Sequence, residues 1–139
     1  MARDPDCIFC GIVAGDVDAE IVFEDEASVA FLDIRPLFHG HVLLVPREHH
    51  VTVEDLPEEQ AEQFFLNARR LSKAVREGMG AQGTFMAMNN IVSQSVPHLH
   101  MHVVPRVKKD GLRGFFWPRT KYKDGEMKAA GEKVRKALG

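Results

Sequence analysis

The chain has 139 residues, 45% of them hydrophobic, and a formal net charge of −2. That length suits one domain with one core, no apolar run approaches the ~20 residues that span a bilayer, and the start, Met1 to Asp6, lacks the apolar stretch of a signal peptide. A cytoplasmic protein with no membrane partner is expected. The charge is split, with −9 over residues 1–105 and +7 over residues 106–139. A solvated helix face explains Lys128 to Lys136 as well as a phosphate-binding tail does, so no specific nucleic-acid partner is expected.

In chain order, Asp6 is placed to cap a short helix over Cys7 to Ala14, with Gly15 as its stop. Glu20 to Asp25 and Ser28 to Asp33 read as two short strands. Pro36 and Gly40 punctuate a loop, and His41 to Val45 is an apolar strand closed by Pro46. Pro57 opens the longest helix, which runs to about Gly78. Ala61, Phe64, Phe65, Ala68, Leu71 and Val75 recur along it at helical spacing. Phe85 to Asn89 is a fourth strand, Leu99 to Val104 a fifth ended by Pro105, and a last helix spans Gly125 to Ala137. Near-neighbour strands without βαβ alternation predict an α+β fold with a five-stranded, mostly antiparallel sheet, one long helix and short terminal helices.

The chemistry concentrates in His98-Leu99-His100-Met101-His102. Alternation along a strand sets the three imidazoles on one face and Leu99, Met101 and Val103 on the other. Imidazoles in a row contribute little to stability, because each needs partners for two ring nitrogens. Two readings remain: a metal site, or nucleophilic attack on phosphorus through a phosphoramidate. The two cysteines, Cys7 and Cys10, suggest a redox pair or half of a metal site; two buried free thiols are the plain alternative.

His98 to Val104 resembles the His-φ-His-φ-His-φ-φ signature of the histidine triad (HIT) superfamily, φ being apolar. Gln94-Ser95-Val96 is similar to that family's phosphate-binding segment, and Gly40 to Pro46 to its upstream histidine strand. Cys7 to Cys10 and Phe31 to Ile34 sit where its N-terminal motifs sit. The resemblance covers residues 6 to about 108, dividing the chain into a HIT domain at 1–108 and a basic, aromatic extension with a helix at 109–139. In one place the sequence departs from the family pattern: Ser93 stands where glycine often precedes Gln94.

The resemblance implies a nucleotide hydrolase or nucleotidyl transferase that cleaves at the α-phosphate through a nucleotidyl-histidine. Its substrates are nucleoside phosphoramidates in the Hint-like branch and dinucleoside polyphosphates in the Fhit-like branch. A nucleotide-binding regulatory or scaffold protein with little turnover is the alternative. His100 takes the nucleophile's role, His41 supports it, His102 meets the phosphate or the leaving group, and Gln94 and Ser95 donate to phosphate oxygens. Asp33 accepts from ribose hydroxyls, Asn89 or Asn90 supplies a polar group at the strand end, and Ile8, Phe9 and Ile12 form a wall for a purine base or serve only as core. A bacterial subset of the family further implies one structural zinc per chain on Cys7, Cys10, His49 and His98, with His50 as the rival of His49. A third reading, a zinc-dependent hydrolase using the triad as ligands, is disfavoured by the cysteine pair. The resemblance also implies a homodimer. In the extension, Trp117 could cover the site and Arg113 or Arg119 could meet phosphates, or Phe115 and Phe116 could staple the last helix to the domain.

Overall fold

In the computed structural model, residues 3–112 and 119–139 are described. The order is α1 (Ile8–Ala14), β1 (Ile21–Glu24), β2 (Ser28–Leu32), β3 (Val42–Pro46), a single 3₁₀ turn at Val53–Asp55, α2 (Glu58–Gly78), β4 (Gly83–Ala87), β5 (Met101–Arg106) and α3 (Glu126–Leu138). The five strands form one sheet in the order β1-β2-β3-β5-β4, every neighbouring pair antiparallel. No helix among the described residues is long and apolar enough to cross a membrane.

Alternation gives the sheet two unlike faces. Ala30, Val42, Leu44, Leu99, Met101 and Val103 point one way and pack under α2, against Phe64, Ala68, Leu71 and Val75. Val29, Phe31, Leu43 and Val45 point the other way and pack under α1, against Cys7, Phe9, Cys10 and Ile12. The histidines flanking these runs share the α1 face. A slip of one residue along β5 would turn His98, His100 and His102 toward the α2 core, and a slip along β3 would do the same to His41.

Several elements depart from the sequence-based expectation. The cap of α1 is Cys7, not Asp6: its Sγ accepts from the Cys10 N–H, while the Asp6 N–H is taken up by the Asp4 carboxylate. Gly15 does end α1, at φ +84°. Pro105 lies inside β5 rather than after it. It falls beyond Val103, the last β5 residue paired with β3, so its missing N–H interrupts no bond on that flank. β4 lies two residues earlier than expected, at Gly83–Ala87. Phe65 does not join the buried stripe of α2. Phe64, Ala68, Leu71 and Val75 hold that stripe, and Phe65, one residue round the helix, is 42% exposed. The polar Asn67 is buried instead, its amide donating to Ser28 Oγ at 2.7 Å and Asp25 Oδ2 at 2.8 Å.

Phe64 and Phe65 therefore separate in a stability measurement. Phe64→Ala is expected to lower the unfolding free energy by about 3–5 kcal/mol through transfer and cavity terms, and Phe65→Ala by less than about 1 kcal/mol. Equal losses in chemical denaturation would contradict this register of α2.

Candidate active site and metal cluster

The N-terminus of α1 presents two thiols to the sheet, and the chain that leaves β3 brings His49 back over them. Cys10 Sγ is 3.3 Å from His49 Nδ1 and 3.5 Å from His98 Nδ1, and Cys7 Sγ is 3.4 Å from His98 Nδ1. All four ligand atoms lie within 4.8 Å of one another. A tetrahedral zinc with two thiolates and two imidazoles has sulfur–nitrogen edges of about 3.6 Å, so the donor set fits that ion. The protonation pattern agrees. His98 Nε2 faces the Pro46 carbonyl at 3.0 Å and must donate to it, which leaves the Nδ1 lone pair directed at the sulfurs. Burial pushes the Cys7 thiol up, so a thiolate here calls for a cation beside it. Burial likewise pulls His98 down to about 4, keeping the ring neutral, as a ligand must be. The described residues thus hold a Cys7–Cys10–His49–His98 cluster that can bind a metal.

Two residues on, His100 Nδ1 lies 2.7 Å from the His98 carbonyl. A carbonyl only accepts, so Nδ1 carries a proton, and in the neutral ring Nε2 is the nitrogen with the lone pair. The ring is 4% exposed and stands nearly perpendicular to that of Phe9, centroids 5.2 Å apart.

His41 and His102 form a second chain of bonds. The Leu37 N–H donates to His41 Nδ1 at 3.1 Å, so His41 Nε2 is the protonated nitrogen, and it donates to His102 Nδ1 at 2.9 Å. His102 must then carry its own proton on Nε2. Asp33 Oδ2 stands 3.7 Å from His41 Nε2. These three residues also place ligand atoms within 4.8 Å of one another, but a metal on His41 Nε2 would strip that ring of both protons. The tautomers therefore fit a metal at the cysteine cluster and a hydrogen-bond chain here. Burial lowers His41, with Asp33 opposing. Burial first, then the neighbouring His100 and His41, pulls His102 down to about 4, again against Asp33.

The loop from β4 to His98 is held by side chains. Gln94 Nε2 donates to the Val51 carbonyl at 2.7 Å, and its Oε1 accepts from the Ile91 N–H at 2.9 Å. One Gln94 N–H is left over. Asn90 Oδ1 accepts from the Val53 N–H. Met88 packs with the α2 core, and Asn89 follows two residues after Ala87, the last β4 residue paired with β5, opposite His102. Ser93, at the glycine position of the family pattern, has φ +64°, and Ile91 has φ +73°. For a β-branched residue that backbone is a real outlier, and the Gln94 and Asn90 clamps hold it. Ser95 is exposed.

Of the three apolar candidates, Phe9 and Ile12 are buried in the α1 core and Ile8 is 51% exposed. His50 turns away from the cluster to Gln60 Oε1, and Arg119 is exposed. Arg113, Phe115, Phe116 and Trp117 lie outside the described residues. What the sequence reading missed is backbone: the Leu37 N–H, the Pro46 and His98 carbonyls and the Val51–Val53 stretch carry no side-chain signal. A separate concavity of about 540 Å³ is lined by Asp25, Glu26, Glu48 and Glu59 beside Arg47. Its four carboxylates suit no polyphosphate.

The model of the HIT domain family matches residues 14–109. Adenosine 5'-monophosphoramidase hnt1 of Schizosaccharomyces pombe is 34% identical, over 92% of this chain and 95% of that protein. A crystal structure of a HIT family member from Bacillus subtilis superposes with a TM-score of 0.88 at 36% identity, covering 96% and 98% of the two chains. A zinc-bound histidine triad family protein from Mycobacterium smegmatis gives 0.73 at 36% identity, covering 95% and 97%.

The imidazole of His102 is expected to stay neutral, protonated on Nε2, until the pH falls to about 4. An unfolded chain takes that proton near 6.5. Protons therefore favour the unfolded state between those values, and stability falls as the pH drops through that window. Ring ¹⁵N NMR checks both statements. A His102 titration near 6.5, or an Nδ1-protonated ring, would contradict the hydrogen-bond chain.

Proposed function

Because this chain belongs to the HIT domain family, we propose that it is a nucleotide hydrolase that attacks the α-phosphorus with His100 Nε2. The observation carrying this reading is the 2.7 Å bond from His100 Nδ1–H to the His98 carbonyl. In the neutral ring it puts the free lone pair on Nε2, and it supplies an acceptor for the positive charge that develops as the N–P bond forms. The leaving atom departs with the electron pair of its bond to phosphorus, water then displaces His100, and a nucleoside monophosphate is released.

His102 Nε2–H faces outward from the hydrogen-bond chain and donates to the phosphate or the leaving atom. An anionic phosphate beside the His41–His102 pair opposes the burial that keeps it neutral. Substrate charge thus favours uptake of the proton that the leaving group takes. Asp33 receives the ribose hydroxyls, Ser95 and the remaining Gln94 N–H meet phosphate oxygens, and Asn89 is preferred to Asn90, whose oxygen is engaged. Ile8 offers the base an exposed apolar edge. The named activity of the fission-yeast relative supports a nucleoside phosphoramidate as substrate.

We further infer one structural zinc per chain on Cys7, Cys10, His49 and His98. The zinc-bound relative and the donor geometry support it. Four protein ligands leave no open position, so the ion's contribution is to hold α1 against the sheet. Exposed Phe65 and Leu66 on α2 and Met86 on the edge strand β4 support pairing into a homodimer.

His100→Ala and His100→Asn are expected to lower turnover of adenosine phosphoramidate by at least about 10³-fold while nucleotide binding persists. Mass spectrometry of the quenched wild-type reaction should reveal the nucleotidylated chain. Undiminished turnover in either variant would refute the nucleophile. Elemental analysis should find about one zinc per chain, lost in Cys7→Ser, with activity resistant to brief EDTA treatment. A fully stable, metal-free wild type would refute the zinc site.

A further inference from the structure

The metal cluster and the nucleophile share a residue. The ring of His98 lies in the cluster, with Nδ1 on the sulfurs and Nε2 on Pro46, while its carbonyl takes the His100 proton. They share a helix as well. Phe9 sits on α1 between Cys7 and Cys10, and its ring contacts three aromatic rings of the sheet. Its centroid is 5.2 Å from that of His100 at an interplanar angle of 85°, 6.0 Å from that of His98 at 72°, and 5.3 Å from that of Phe31 at 66°.

Phe9 is 7% exposed and packs with Val29, Phe31, Leu43 and Val45, so little of it is open to a nucleotide base. Its nearest aromatic neighbour is the nucleophile itself. Besides the neighbouring His102 ring, whose centroid lies 5.1 Å away at 65°, the His100 ring thus has two restraints that lead back to the cluster: one hydrogen bond to the carbonyl of a cluster residue, and one perpendicular ring on the helix that carries both thiols. A thiol ligand lies at each end of the Cys7–Cys10 segment that carries Phe9.

We propose that α1 is a positioning arm, and that Phe9 is a positioning residue that sets the orientation of the His100 ring, coupled to the metal cluster through His98 and the Cys7–Cys10 segment. This rests on His100 acting as the nucleophile. It goes beyond that role in assigning Phe9 to the imidazole rather than to a base, and in giving the cluster an effect on the reacting ring. Loosening the arm lets His100 lose its bond to the His98 carbonyl. The attacking lone pair then moves out of line, and misplacement on the ångström scale costs turnover heavily.

The test compares Phe9→Leu, which keeps an apolar side chain of similar bulk, with Phe9→Tyr, which keeps the ring. Each is compared with the wild type for kcat, KM, metal content and the ring ¹⁵N signals of His100. Phe9→Leu is expected to lower kcat about tenfold or more with KM changed by less than about twofold. Metal content stays at the wild-type level, and the His100 signal shifts from pure Nδ1–H toward a mixture of tautomers. Phe9→Tyr restores most of kcat and the wild-type signal. Cys10→Ser, which loosens the arm from the other side, shifts the His100 signal in the same direction; if it does not fold, Phe9→Leu alone decides. An unchanged kcat and an unchanged His100 signal in Phe9→Leu would overturn the proposal. A loss confined to KM and dependent on the base would also overturn it, by making Phe9 a base wall. A wild type that turns over no nucleotide would defeat the hydrolase reading alone, since the tautomer signal reports on the arm without turnover.

Discussion

One residue, His98, ties the two halves of this site together. Its side chain completes a cluster of two thiols and a second imidazole, and its carbonyl defines which nitrogen of His100 is free. Both depend on an alternation of side chains between the two faces that extends from His98 into β5, although the paired strand itself starts at Met101. The same alternation delivers Leu99, Met101 and Val103 to the α2 core. Hydrophobic burial on one side of the strand therefore holds the polar chemistry on the other in place, and neither face can change register without destroying the other.

The imidazoles are differentiated by backbone groups. The Pro46 carbonyl leaves His98 Nδ1 free to face the sulfurs, the His98 carbonyl fixes a proton on His100 Nδ1, and the Leu37 N–H makes His41 a donor toward His102. Four similar side chains acquire different roles because each meets a different fixed dipole before any substrate arrives. Burial keeps His98 and His102 uncharged near neutrality, so the rings coexist without mutual repulsion.

Much of this was legible in the residues. Alternation of His98, His100 and His102 with Leu99, Met101 and Val103 announces a two-faced strand, and the spacing of Phe64, Ala68, Leu71 and Val75 announces a helix laid across it. Gly15 announces the end of α1, since its φ of +84° suits a residue without Cβ. The end of β5 was not legible. Proline usually ends a strand, and here Pro105 is tolerated because β3, on one flank, has already stopped while β4 still pairs on the other. Nor was the cap of α1, where an aspartate beside a cysteine is the conventional choice and the thiol prevailed.

What the sequence determined by itself is the inventory and its periodicity: three imidazoles on one side of a strand, a cysteine pair at a helix start, and an apolar stripe for the long helix. These follow from local stereochemistry, which needs no knowledge of distant residues. Tertiary structure alone decided which ring nitrogen meets the sulfurs, which meets a carbonyl and which donates to a second ring. It also turned Phe9 toward His100 and committed the Asn90 oxygen and much of the Gln94 amide to backbone partners. Those outcomes depend on carbonyls, N–H groups and rings brought together from segments up to 91 residues apart. Backbone groups are the same at every position, so no residue pattern reports where they will point.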